Sequence, residues 1–192
     1  MFPLNTPNLL TVFRILLVPV IVVALTEGIP NGDAIAAAVF VLAALTDGLD
    51  GYIARSRRSV TTFGKVMDPV ADKLLIAAAL VALVSLDRVS AWVAMVIITR
   101  EFAVSGLRMA GAQQGVVIPA SRLGKLKTAV QLAAVLALIA APNPDAVWAL
   151  ALVYAMVVVT VVSGADYFLN FRRRVDEITA ERESAVKVGA DV

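Results

Sequence analysis

Residues 47–72 read DGLDGYIARSRRSVTTFGKVMDPVAD and set four aspartates, Asp47, Asp50, Asp68 and Asp72, into a strongly apolar chain. Around them 60% of the 192 residues are hydrophobic, and the mean hydropathy is +0.86. A charge at the centre of a membrane helix costs at least about 2.5 kcal/mol, so these carboxylates need cationic partners or a water-filled cavity. Their spacing is helical. Asp47, Asp50, Gly51 and Ala54 stand at i, i+3, i+4 and i+7, within about 100° of arc on one helix face. Two carboxylates thus share a stripe with two very small residues, beside which another helix or a bulky ligand can approach the backbone. Asp68 and Asp72 repeat the i, i+4 geometry on the next segment.

Working outward, six apolar segments are long enough to cross about 30 Å of hydrocarbon: 8–26, 33–55, 68–86, 90–110, 124–142 and 145–168. Turn signals separate them, among them EGIPNGD at 27–33, GAQQG at 111–115 and APNPDA at 141–146. The expectation is an all-α polytopic membrane protein with six transmembrane helices over 1–170 and a charged tail over 171–192. That tail is expected to be a frayed helix or disordered. Lys and Arg set the orientation. Arg55, Arg57, Arg58 and Lys65 follow span two, Arg108, Arg122, Lys125 and Lys127 follow span four, and Arg172, Arg173 and Arg174 follow span six, whereas the opposite loops carry only Arg88. Both termini and the aspartate stretch are therefore expected on the cytoplasmic side of the inner membrane. The first span has no Lys or Arg before Arg14, is interrupted by Pro19 and lacks a small-x-small cleavage site, so it reads as retained. Trp92 and Trp148 fall at span ends, where indoles anchor at the interface.

Composition narrows the chemistry. With Cys 0 and His 0, there is neither thiolate chemistry nor an imidazole proton shuttle, and any metal must be held by oxygen. That favours Mg²⁺ or Mn²⁺ over zinc, haem or iron–sulfur clusters. A net charge of +2 without long basic runs gives no sign of a nucleic-acid partner. If the two aspartate pairs face each other, four carboxylates converge where they cannot all stay ionised without compensating cations. Two divalent metals would compensate them. In the metal-free alternative, some are protonated or paired with Arg55, Lys65 and Lys73. Oxygen-only ligands around two metals point to phosphoryl transfer.

The pattern Asp47-x2-Asp50-Gly51-x2-Ala54-Arg55-x8-Gly64-x3-Asp68-x3-Asp72 resembles the signature of the CDP-alcohol phosphotransferase family, with all eight specified residues in place. The resemblance implies a six-helix membrane enzyme, usually dimeric, that joins a CDP-linked lipid or alcohol to a second alcohol and releases CMP. By position, Asp47, Asp50 and Asp68 resemble its metal ligands, and Asp72 lies near the second metal as the general base. Gly51 and Arg55 resemble contacts to the CDP moiety, and Ala54 and Gly64 leave room beside the nucleotide. Asn8 borders the cytidine pocket in this resemblance, and helix capping after Pro7 is the alternative for it.

The likeness extends through TPNLLTVFRILLVP at 6–19, FGKVMDPVADKLLIAAALVALV at 63–84, IITREFAVSGLRMAGAQQGVVIPAS at 97–121 and GKLKTAVQ at 124–131. These stretches are similar to a bacterial branch of the family that transfers the phosphatidyl group of CDP-diacylglycerol to glycerol 3-phosphate. Met67, where that branch commonly has Leu, and the tail after Thr160 depart from it.

A charge argument points the same way. Arg100, Ser105 and Arg108 on span four, with Lys125 and Lys127 at the start of span five, form a cationic set suited to an acceptor that brings its own phosphate. Inositol phosphate shares that logic, and positive-inside loop charge is the plainer reading of the two lysines. A divalent-cation transporter should spread its acids over several depths, and an intramembrane prenyltransferase should carry more spans and two distant acidic repeats. Tyr52, Tyr154 and Tyr167 carry no separate signal.

Overall fold

The computed structural model describes the backbone of residues 6–57, 62–113, 116, 122–141, 143 and 146–190, and the side chains of 9–46, 67, 70–113, 116, 123–141, 143 and 146–179. Six helices follow one another: α1 (Thr6–Thr26), α2 (Gly32–Arg57), α3 (Thr62–Ser85), α4 (Ala91–Gln113), α5 (Arg122–Ala140) and α6 (Val147–Ala190). No strand occurs among the described residues. Each of the six expected segments corresponds to one helix.

Among the residues whose side chains are described, Leu9–Thr26, Leu123–Ala140 and Val147–Thr179 are long and apolar enough to cross a membrane, and Gly32–Thr46 is apolar as far as it is described. The other three helices carry charges in their sequence. Asp47 and Asp50 enter α2, Asp68, Asp72 and Lys73 enter α3, and Arg100, Glu101 and Arg108 enter α4. These three helices depend on their neighbours to shelter those charges.

The neighbours are arranged to do so. α1 lies along both α2 and α3, α5 along α6 and α2, and α4 along α6 and α3. At the contacts, Ala36, Ala43, Ala79 and Ala134 are fully buried, and small residues of this kind let helices approach closely where lipid offers no competing hydrophobic drive. Phe40, Leu80, Leu83, Ile97, Leu138 and Met156 fill the space between them. The outward faces carry Leu16, Val81, Met95, Val158 and Leu169, all exposed. Such a surface would be an aggregation hazard in water, but it matches hydrocarbon.

One end of the bundle is fastened by a single side chain. Arg88, in the turn between α3 and α4, donates through Nη2 to Asp33 Oδ2 at 2.7 Å and through Nη1 to the Ile139 carbonyl at 2.9 Å. Asp33 lies in the first turn of α2 and Ile139 in the last turn of α5, so one guanidinium ties three helix ends together. It also places a cation on a helix C-terminus, where the dipole favours it. Close by, Gly28 (φ 64°) and Asn31 (φ 58°) take the left-handed conformation that turns α1 into α2, and a methyl group on Gly32 would overlap the carbonyl oxygen of Ala24.

One boundary differs from expectation. α3 begins at Thr62, six residues before the expected start at 68, so Asp68 lies within the helix. α6 continues as far as Ala190, through the stretch expected as a frayed helix or disordered tail. Side-chain packing nevertheless ends close to the start of that stretch. A Cβ on Gly111 would come within 2.8 Å of Phe171 Cε2, so Phe171 is seated against α4, whereas Arg172, Arg173 and Arg174 are exposed.

Candidate functional site

At the end opposite the Arg88 fastening, α2 stops at Arg57 and α3 starts at Thr62, so the two aspartate-bearing segments reach the same end of the bundle. Asp50 lies seven residues before the end of α2 and Asp68 six residues after the start of α3, each about 10 Å along its helix. Asp47 and Asp72 each lie ten residues from those ends, about 15 Å. The side chains of Asp47, Asp50, Gly51, Ala54, Arg55, Gly64 and Asp68 lie outside the described residues. So does that of Asn8, which stands two residues into α1. α1 also brings a charge to these helices, since Thr11 and Arg14, which is 1% exposed, point into the bundle from the helix that packs on both α2 and α3.

Asp72 is described, and it lies on the wall of a cavity of about 520 Å³. Four helices build that cavity: α3 gives Asp72 and Lys73, α4 gives Arg100, Glu101, Ser105 and Arg108, α5 gives Lys125 and Lys127, and α6 gives Ser163 and Tyr167. The structure therefore brings together Asp72 and all five residues of the expected cationic set. Five cationic side chains stand against two carboxylates on this wall, a surplus that would draw in an anion.

Glu101 organises the cations. Its Oε1 accepts from Lys127 Nζ at 2.5 Å and from Arg100 Nη1 at 3.3 Å, and Glu101 and Lys127 are both buried. Removing the carboxylate would leave two cations facing each other in a poorly hydrated space, so it holds them at a separation they would not otherwise keep. Ser105 Oγ donates to the Glu101 carbonyl at 2.7 Å. Its single proton is spent on the helix backbone, and it turns only lone pairs to the cavity. In this rotamer Ser105 cannot donate to a phosphate. Arg108 lies over the Tyr167 ring, its Cζ 5.6 Å from the centroid, a cation–π arrangement that limits where the guanidinium can swing.

Sequence reasoning missed the contribution of α6. Ser163 and Tyr167 reach the cavity from a helix read as a plain apolar span, and Tyr167 is 7% exposed. The available signal was Thr160, Ser163, Gly164 and Tyr167 at i, i+3, i+4 and i+7, a polar and small stripe in an aliphatic run. Lys73 was weighed only as a partner for the aspartates, yet it lines the same wall.

A family model described as CDP-alcohol phosphatidyltransferase matches residues 4–162. The chain belongs to that family. Among curated CDP-alcohol phosphatidyltransferases, it is 42% identical over 180 residues to the CDP-diacylglycerol--glycerol-3-phosphate 3-phosphatidyltransferase of Bacillus subtilis, covering 85% of this chain and 93% of that one. The protein of the same name from Rickettsia felis is 40% identical over 169 residues, covering 85% of this chain and 93% of the relative. The Pseudomonas fluorescens protein of that name is 42% identical over 153 residues, covering 77% and 78%. Membership of the CDP-alcohol phosphatidyltransferases accounts for the all-helical, membrane-embedded architecture. It also removes the transporter and prenyltransferase readings.

Proposed function

We propose that the protein transfers the phosphatidyl group of CDP-diacylglycerol to glycerol 3-phosphate, giving phosphatidylglycerophosphate and CMP. The carrying observation is one cavity wall that holds a carboxylate, Asp72, among Arg100, Arg108, Lys125 and Lys127. A base beside a cluster of cations suits an acceptor that presents a hydroxyl and a phosphate together. The names of the relatives from Bacillus subtilis, Rickettsia felis and Pseudomonas fluorescens describe that acceptor.

Asp47, Asp50, Asp68 and Asp72 would hold two Mg²⁺ or Mn²⁺ ions, which, when bound, would polarise phosphate oxygens and offset the charge of the departing CMP. This chain's own residues do the rest. Gly51, Ala54 and Gly64 leave room for the nucleotide, Arg55 offsets diphosphate charge, and Asn8 reads the cytidine edge. Arg100, Arg108, Lys125 and Lys127 hold the acceptor phosphate and so fix its free hydroxyl near Asp72. Asp72 takes the hydroxyl proton as the oxygen attacks the β-phosphorus; the new P–O bond forms, the bond to the CMP oxygen breaks, and CMP leaves with that electron pair. The lipid tails of the donor stay in the cytoplasmic leaflet of the inner membrane, both termini are cytoplasmic, and the working unit is a homodimer.

The test is CMP release by the purified protein with CDP-diacylglycerol and glycerol 3-phosphate, inositol phosphate or serine, with Mg²⁺ or Mn²⁺ present or removed by chelator. Glycerol 3-phosphate should give the fastest release, and chelation should abolish it until the metal is restored. Faster release with another acceptor would reassign the acceptor, and release that survives chelation would end the metal role.

A further inference from the structure

From the contacts around Arg100, we infer that Ser163 and Gly164 of α6 are positioning residues that set the acceptor affinity of the site by fixing this guanidinium. The inference rests on the reading of Arg100 as an acceptor-phosphate ligand.

Arg100 stands near the middle of α4, and its side chain crosses to α6. Ser163 Oγ, buried at 2% exposure, accepts from Arg100 Nη2 at 3.0 Å and donates to the Thr160 carbonyl at 3.1 Å. A hydroxyl has one proton and two lone pairs. With the proton tied to the backbone one turn back, the lone pairs are presented to the guanidinium and cannot rotate away at no cost. Gly164 then makes the crossing possible. A Cβ at that position would meet Arg100 Cγ at 3.2 Å and Nε at 3.5 Å, so the arginine stem lies against bare α6 backbone. Glu101 holds the other nitrogen, Nη1, at 3.3 Å.

The guanidinium is therefore gripped on two of its three nitrogens by groups on two helices. Its Nε lies against α6 beside Gly164 and is buried, with no hydrogen-bond partner among the described residues. A planar fork fixed in this way binds a phosphate with less loss of side-chain freedom than one free to rotate. Ser163 does not have to touch the acceptor to determine how tightly it is held.

The experiment is a double-mutant cycle in the full-length protein, reading initial rates of CMP release with each substrate varied while the other is saturating. S163A is expected to raise the KM for glycerol 3-phosphate about tenfold, the cost of one hydrogen bond to a charged group, with the KM for CDP-diacylglycerol and the thermal midpoint unchanged. S163T, which keeps the hydroxyl and its bond to the preceding turn, should restore the wild-type value. In an R100A background, S163A should add less than twofold. G164A should shift acceptor KM in the same direction as S163A, because the stem must move off α6. An acceptor KM within twofold of wild type in S163A, a parallel rise in both KM values, or a full additional loss in the R100A background would each overturn the inference. Failure of the functional reading is seen separately, on the wild-type protein alone, as CMP release that does not respond to glycerol 3-phosphate; the inference would fall with it.

Discussion

Asp72 is the residue on which the chemistry turns, because it belongs both to the aspartate pattern and to the wall of the cationic cavity. Asp72→Asn keeps the size and polarity of the side chain but removes its basicity. It should lower kcat by about 10²–10⁴-fold, the usual worth of a general base. CDP-diacylglycerol binding, followed by equilibrium titration of the purified protein, should persist, and its loss would make Asp72 chiefly a ligand. How legible a residue was followed from how its side chain acts. Arg100, Arg108, Lys125 and Lys127 could be found because a charge in an apolar chain is conspicuous and must be sheltered. Ser163 and Tyr167 could not, because hydroxyl and phenol groups are tolerated in membrane helices for many reasons, and their roles depend on which helix lies opposite. Even for Arg100, the sequence pattern could place a cation but not its grip, since both Ser163 and Gly164 come from sequence 63 and more positions away.

At the scale of elements, the turn signals and span lengths were enough to locate six helices, because a bilayer restricts length and forces every backbone group into a hydrogen bond. The ends were less legible. Nothing in periodicity marks where α3 begins, and a helix that leaves the bilayer into charged sequence, as α6 does, loses its apolar pattern without losing its backbone hydrogen bonds. Arg88 shows a similar gap. In the sequence it is one charge in a loop, whereas in the fold it binds the start of α2 and the end of α5. Arg88→Ala should cost about 1–3 kcal/mol through the lost charge-assisted hydrogen bonds. A lowered thermal midpoint with both KM values unchanged would fit a fastening remote from the site, and a changed acceptor KM would not.

The whole molecule is polarised. One end carries the Arg88 fastening and tight turns, and the other carries the aspartates, the cationic cavity, the end of α2 and the start of α3. Packing contacts in α6 reach Phe171, after which the described side chains are mostly exposed. We therefore place the functional boundary just beyond Phe171, and a protein ending at Arg174 should retain wild-type kcat and acceptor KM. One ending at Leu169, without Phe171, should unfold at lower temperature, because Gly111 then faces a gap. Equal thermal midpoints for the two truncations would show that the contact contributes nothing.

The order of the helices also has a consequence for biogenesis. Synthesis proceeds from α1 to α2, α3 and α4, into which charges enter, and only then to α5 and α6. Lys127 and Ser163, the partners that take up Glu101 and Arg100, are thus made last. Until those two helices are made, Glu101 and Arg100 lack these partners, and holding them in hydrocarbon costs more.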